Sequence, residues 1–128
     1  MRFTPFLPQV TALHLAAKFS CGAVVRALIQ AGADVGVQDD PDQKSPLHYA
    51  ASDNQAVVPV LLREGAEVNL LDKEERSALY NAAFTSHREA VIALCAGGAD
   101  PHLGKSPLTD SLVTEEMKTL ISQQLSLF

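Results

Sequence analysis

Tryptophan is absent from this sequence, and aromatic residues of all kinds make up only 5% of its 128 residues. A core of large flat rings is thereby excluded, and what is buried must be mostly Leu, Val, Ile and Ala. No run of Lys or Arg occurs and the net charge is −5, so the chain has no electrostatic footprint for a phosphate backbone and nucleic acid is not an expected partner. No apolar run approaches the ~18 residues of a transmembrane helix, so no membrane partner is expected either. A Gly-rich phosphate loop, a Cys-x-x-Cys pair, a nucleophile elbow and an Asn-x-Ser/Thr sequon are all missing. The first residues, Met1 to Pro8, carry one positive charge, but Pro5 and Pro8 interrupt what would be the apolar stretch of a signal peptide. The expected compartment is the reducing interior, cytoplasm or nucleus.

What is present is repetition. Thr11-Ala12-Leu13-His14-Leu15-Ala16-Ala17 returns as Ser45-Pro46-Leu47-His48-Tyr49-Ala50-Ala51 and as Ser77-Ala78-Leu79-Tyr80-Asn81-Ala82-Ala83. A worn copy follows at Ser106-Pro107-Leu108-Thr109-Asp110-Ser111-Leu112. A second phrase keeps step with the first: Gly32-Ala33-Asp34, Gly65-Ala66-Glu67 and Gly98-Ala99-Asp100 are each 33 residues apart. Two interleaved signals sharing one period define a repeat protein.

These phrases resemble the ankyrin repeat, a β-turn plus two antiparallel helices with a Thr-Pro-Leu-His-x-Ala signature at this period. The resemblance runs from residue 11 to about 125. It implies an all-α solenoid of about four helix-turn-helix repeats, near 11–44, 45–76, 77–105 and 106–128, with β-hairpin-like connections at 33–44, 66–76 and 99–105. It also implies a protein-protein interaction module that binds another protein through a concave face and hairpin tips. Such a module acts by occupancy, as inhibitor or adaptor, and is expected to be a monomer when unbound. Four-repeat length and an irregular second repeat are shared with the ankyrin-type inhibitors of cyclin-dependent kinases. The alternatives are a substrate-recruiting arm of a larger assembly such as a ubiquitin ligase, or a piece of a longer array. Residues 1–10 match no repeat, and two readings stay open: an apolar arm (Phe3, Phe6, Leu7, Val10) lying over repeat one, or the trace of a longer array.

The local chemistry agrees with helix pairs. Thr11, Ser45, Ser77 and Ser106 can cap first helices, and Pro46 and Pro107 suit the first helical position. The Ala pairs permit close approach. Second helices carry apolar stripes: Val24, Val25, Leu28, Ile29; then Val57, Val58, Leu61, Leu62; then Ala90, Val91, Leu94, Cys95. Pro59 lies inside the second of these, where an interior proline costs about 3 kcal/mol, so that helix is expected to start late or bend. The turn position that favours positive φ carries Gln43, Glu75 and Gly104, and the first two should be strained by about 1 kcal/mol each. The link from Asp100 to Ser106 is short, which predicts a truncated last hairpin. Thr114 opens a final helix whose narrow stripe, Met117, Leu120 and Ile121, suits a terminal repeat with a wetted outer face.

No catalytic site, metal site or cofactor is expected. His14 and His48, as equivalent residues of neighbouring repeats, should stand ~8–10 Å apart, too far to share a zinc ion. They are read instead as posts that bond neighbouring turn backbone, with Tyr80 in the third copy and His87 read the same way. Cys21 and Cys95, two repeats apart, are beyond the ~7 Å reach of a disulfide, and Cys95 is read as a core residue. Acids gather near the turns (Asp39, Asp40, Asp42, Glu64, Glu67, Asp72, Glu74, Glu75), either as a solvated rim with Lys44, Lys73 and Arg76 interspersed or as a stripe steering a basic partner.

Asn69 stands where the resemblance implies hydroxylation by an oxygen-dependent hydroxylase. The reading preferred for it is a side chain that holds its hairpin. The expected partner surface is Phe19, Phe84, Ser52 and Asp53 at the ends of the first helices, with Asp40, Asp42, Lys44, Lys73, Glu74 and Arg76 from the turns. Phe19 and Phe84 are the expected anchors, against the alternative that they fold back over their own helix turns beside Ser20 and Ser86.

Overall fold

The computed structural model describes residues 11–127. The expected N-terminal arm, 1–10, lies outside the described residues. Among the described residues seven α-helices follow one another: α1 (Ala12–Phe19), α2 (Gly22–Gln30), α3 (Pro46–Asp53), α4 (Val58–Arg63), α5 (Ala78–Phe84), α6 (Arg88–Ala96) and α7 (Glu115–Leu125). Among the described residues there is no β-strand. The inner helices α1, α3 and α5 stack in one row, and α2, α4 and α6 stack behind them, with α7 closing against α6.

Each inner helix, and α7 as well, starts where a hydroxyl takes a free amide. Thr11, Ser45, Ser77 and Thr114 accept from the backbone N–H three residues on, that of His14, His48, Tyr80 and Met117. In α1 and α3 the histidine reciprocates by accepting the cap residue's own N–H on Nδ1, so one pair of side chains satisfies two orphan donors. The Ala pairs are fully buried or nearly so, and replacing any of them with a larger residue would force the row apart. Leu13, Leu47, Leu61, Leu79 and Leu94 fill the space between the rows.

Pro59 acts as expected. The second helix of repeat two opens with a single 3₁₀ turn, Gln55–Val57, and α4 begins only at Val58, so the proline falls in the first turn, where its missing N–H is harmless. The apolar stripe of α2 is only partly covered: Val24 is 43% exposed, whereas its repeat equivalents Val57 and Ala90 are buried. Those two residues lie against the repeat before them, and Val24 has no described repeat on that side.

The fourth repeat departs from the expected pair of helices. Residues 106–113 form turns, and only its second helix, α7, is present. Short polar side chains compete here for the backbone. The Asp110 carboxylate accepts the Leu112 N–H at 2.8 Å, and the Ser106 hydroxyl accepts the Leu108 N–H. With Ser111-Leu112 in place of the Ala pair, no small surface draws a helix against α5. Among the described residues the stack consists of three complete pairs and one half pair.

The connections are hairpin fingers bonded edge to edge. The Asp39 N–H donates to the Lys44 carbonyl at 2.9 Å, and the Asp72 N–H to the Arg76 carbonyl at 3.0 Å. Lys73 N–H then reaches the Asp42 carbonyl, and Lys105 N–H the Glu75 carbonyl. Gln43 (φ 58°) and Glu75 (φ 62°) adopt the left-handed conformation expected of them, as does Gly104 (φ 62°). Gly104 is needed for a second reason: a Cβ there would lie 2.3 Å from the Glu75 carbonyl oxygen.

Candidate functional site

The inner helices and fingers build one face, and the histidine posts fix the distance between them. The His14 Nε2–H donates to the Lys44 carbonyl and the His48 Nε2–H to the Arg76 carbonyl, both at 2.8 Å. Each imidazole therefore ties the start of its own helix to the foot of the next finger, as the sequence led one to expect. Burial holds the His48 pKa below the usual imidazole value. His87 differs. Its Nδ1 bonds the Thr85 hydroxyl inside the same repeat, at 2.8 Å, because it caps α6 on the far side of the α5–α6 turn.

A second row of contacts is made by Tyr49, which follows the post His48, and by Tyr80, which stands in the third post position. The Tyr49 hydroxyl donates to the buried Asp39 carboxylate, whose other oxygen accepts the Lys44 N–H at 2.7 Å. Burial, then the bond to Asp39, raises the Tyr49 pKa. Tyr80, in place of the histidine, donates its hydroxyl to Asp110, and that bond holds the Asp110 pKa below the usual carboxylate range. Burial, then the same bond, raises the Tyr80 pKa.

Cations lie over these rings. The Lys18 ammonium is 5.1 Å from the Phe19 centroid and 5.8 Å from that of Tyr49, and the Lys44 ammonium is 5.7 Å from Tyr49. The Arg76 guanidinium is 5.2 Å from Tyr80 and 5.9 Å from Phe84. Those two rings are stacked, 6.0 Å apart and 14° from parallel.

Every predicted surface residue can thus be placed. Phe19 is 72% exposed at the end of α1, and Phe84, 44% exposed at the end of α5, leans on Tyr80 and Arg76. Ser52 is half-buried and Asp53 exposed at the end of α3. Asp40, Asp42, Lys73 and Glu74 are exposed at the fingertips, while Lys44 and Arg76 are half-buried at the feet. The acid-rich turns do not form a uniform rim or stripe. Asp39 and Asp72 are buried, Asp72 accepting the Glu74 and Arg76 N–H groups, both at 2.9 Å. Sequence reasoning passed over Tyr49 and Asp110. The available signal was that Tyr49 follows the post histidine directly and Asp39 stands 33 residues before Asp72. Asn69 holds its place through its side-chain oxygen, which accepts the Asp100 N–H of the next repeat at 2.9 Å.

Other chemistry has little to build on. Cys95 is buried, and burial pushes its thiol up to about 11. Cys21 is exposed at the start of α2, where the nearby Val24 and Ala23 amides lower its thiol pKa. Among the described residues no group of three or more His, Cys, Asp or Glu side chains could hold a metal ion, and no helix is long and apolar enough to cross a membrane.

Stacked helix pairs with bonded fingers define a solenoid of the helical repeat class. A family model described as ankyrin repeats (3 copies) matches residues 13–105, and the chain belongs to the ankyrin repeat family. The matched span runs from α1 through α6 and the third finger. No curated protein sequence matches the chain. Ankyrin repeats are generally protein-interaction modules, and the family is typically non-enzymatic.

Proposed function

We propose that this chain is a non-enzymatic binding module that holds a partner protein against the face formed by α1, α3, α5 and the fingers, and acts by occupying that partner. The observation that carries the reading is the exposed pair Phe19 and Phe84, standing at the ends of two inner helices of a rigidly posted stack. The leucines and alanines already fill the core, so these rings are available as anchors, and aromatic side chains with neighbouring Arg are the residues most enriched at interface hot spots. Holding the fingers by His14 and His48 lowers the ordering cost on binding, because the feet at Lys44 and Arg76 are set before the partner arrives.

The test is photo-crosslinking. A benzophenone amino acid placed at position 19 or 84 in cells should capture the same partner protein, whereas the same group at Gln123 on the exposed side of α7 should not. Capture of one regulatory or enzymatic partner supports an inhibitor or adaptor, and capture of ubiquitin-ligase subunits supports a recruiting arm. Equal capture from all three positions would count against the face.

A further inference from the structure

The two ends of the stack differ in what they show to solvent. At the last repeat the outward side of α7 is polar, with Thr119, Ser122 and Gln123 exposed and Met117, Leu120 and Ile121 turned in. Repeat one is the reverse. Leu15 is 51% and Val24 43% exposed, and Ala12 and Ala27 are exposed as well.

The repeat register identifies what these residues face. Tyr49, the equivalent of Leu15, sets its ring edge-on against His14 of the repeat before it. Val60, the equivalent of Ala27, lies so close to Gly22 that a Cβ there would stand 2.8 Å from a Val60 methyl. Val57, the equivalent of Val24, is buried, and so are Pro46 and Ala78, the equivalents of Ala12. Through these positions a repeat rests on its predecessor, and in repeat one they form an uncharged apolar end with no described repeat over it. The outermost layer of a solenoid ordinarily needs a polar outer face.

The chain that leads into this end has the composition to cover it. Val10 adjoins Thr11, the cap of α1, so residues 3–10 arrive at its rim. Extended, such a segment spans about 26–29 Å, enough to cross two helices ~8–10 Å apart. It has no charged residue, it carries Phe3, Phe6, Leu7 and Val10, and its Pro5 and Pro8 oppose a helix and reduce the freedom lost on docking. It does not read as the finger of a preceding repeat. The first two fingers carry a buried acid shortly before the next cap residue, Asp39 before Ser45 and Asp72 before Ser77, and at the same spacings before Thr11 stand Pro5 and Phe6.

We propose that residues 3–10 lie across α1 and α2 at the open end of repeat one, with their apolar side chains on Leu15, Val24 and Ala27, and cap the stack in place of a preceding repeat. This cap does not depend on which face holds a partner.

The experiment is methyl-labelled NMR of the full chain, as wild type and as the double variant Phe6→Ser, Leu7→Ser, with the mass in solution measured by sedimentation at the same concentration. The expected result is through-space cross-peaks from the Phe3 or Phe6 ring to the Leu15 and Val24 methyls, in a particle of one chain's mass. The double substitution should abolish those from position 6, shift both methyls, lower the melting temperature by a few degrees and leave the Ile121 methyl at the far end unmoved. Absence of the cross-peaks from wild type, or Leu15 and Val24 methyls that ignore the substitution, would overturn the cap. Cross-peaks to this end from residues outside 3–10, or from a second copy in a particle of twice the mass, would overturn it in favour of another occupant.

Discussion

Replacing His48 with Ala should be among the most damaging single changes in the stack. The side chain is buried, its Nδ1 accepts the Ser45 N–H at 3.0 Å and its Nε2–H donates to the Arg76 carbonyl at 2.8 Å. Truncation leaves a donor and an acceptor without partners, at about 1–3 kcal/mol for each group that stays buried, and adds a void between α3 and the second finger. A loss of about 3–5 kcal/mol is expected, large against the 5–15 kcal/mol of a whole domain. Urea denaturation followed by helical circular dichroism measures it. The same residue sets a pH dependence. Accepting the Ser45 N–H requires an unprotonated Nδ1, and burial depresses the folded pKa. Below about pH 6.5 the unfolded chain takes a proton that the folded imidazole resists, so stability is present above that pH and falls by about 1.4 kcal/mol per unit on acidification until the folded pKa is reached. Wild type should therefore lose stability between pH 7 and pH 5 more steeply than His48→Ala. A loss below 1 kcal/mol with parallel pH profiles would refute the post.

Three further outcomes follow from local geometry. Gln43→Gly and Glu75→Gly relieve positive φ and should each raise stability by about 0.5–1 kcal/mol after the entropy that glycine adds to the unfolded chain, whereas Gly104→Ala should lower the urea midpoint clearly because its Cβ meets the Glu75 carbonyl. Cys21 should react with a thiol reagent in the native protein at neutral pH and faster as pH rises, while Cys95, buried with its pKa near 11, should react only on unfolding; equal rates would contradict their placement. Asn69, engaged with the Asp100 N–H, should remain unmodified on co-expression with an oxygen-dependent asparagine hydroxylase, as read by peptide mass; a gain of one oxygen on that peptide would contradict the purely structural reading.

The helix pairs were legible because their signals are local. A hydroxyl cap, an Ala pair and a Gly-Ala-acid phrase recur at one period, and Pro59 marked the second helix of repeat two as one that would start late or bend. The missing first helix of repeat four was not legible from its opening phrase. Ser106-Pro107-Leu108 reads as a start, and the outcome turned on Asp110 and Ser106 capturing backbone amides while no Ala pair offered a packing surface. The site was legible as positions and not as partnerships. Phe19, Phe84, Lys44 and Arg76 could be named from register, but that Arg76 lies over Phe84 through Tyr80, or that Asp39 is buried beneath Tyr49, depends on side chains from different repeats meeting in space. Phe84 leans on Tyr80, four residues back on the same helix, and lies near the Arg76 guanidinium. Its stack with Tyr80 should contribute about 0.5–1.5 kcal/mol to stability.

The central claim, that a partner is held on the inner-helix face, is tested most directly by titrating the crosslinked partner, once identified, against wild type, Phe19→Ala and Phe84→Ala in a calorimeter, with the unfolding free energy of each variant measured alongside. Each substitution should weaken binding at least tenfold, about 1.4 kcal/mol or more, with Phe19→Ala changing stability by under about 0.5 kcal/mol as an exposed residue and Phe84→Ala by no more than its stack with Tyr80 contributes. Unaltered affinity in both variants, with stability lost, would assign both rings to packing and contradict the account.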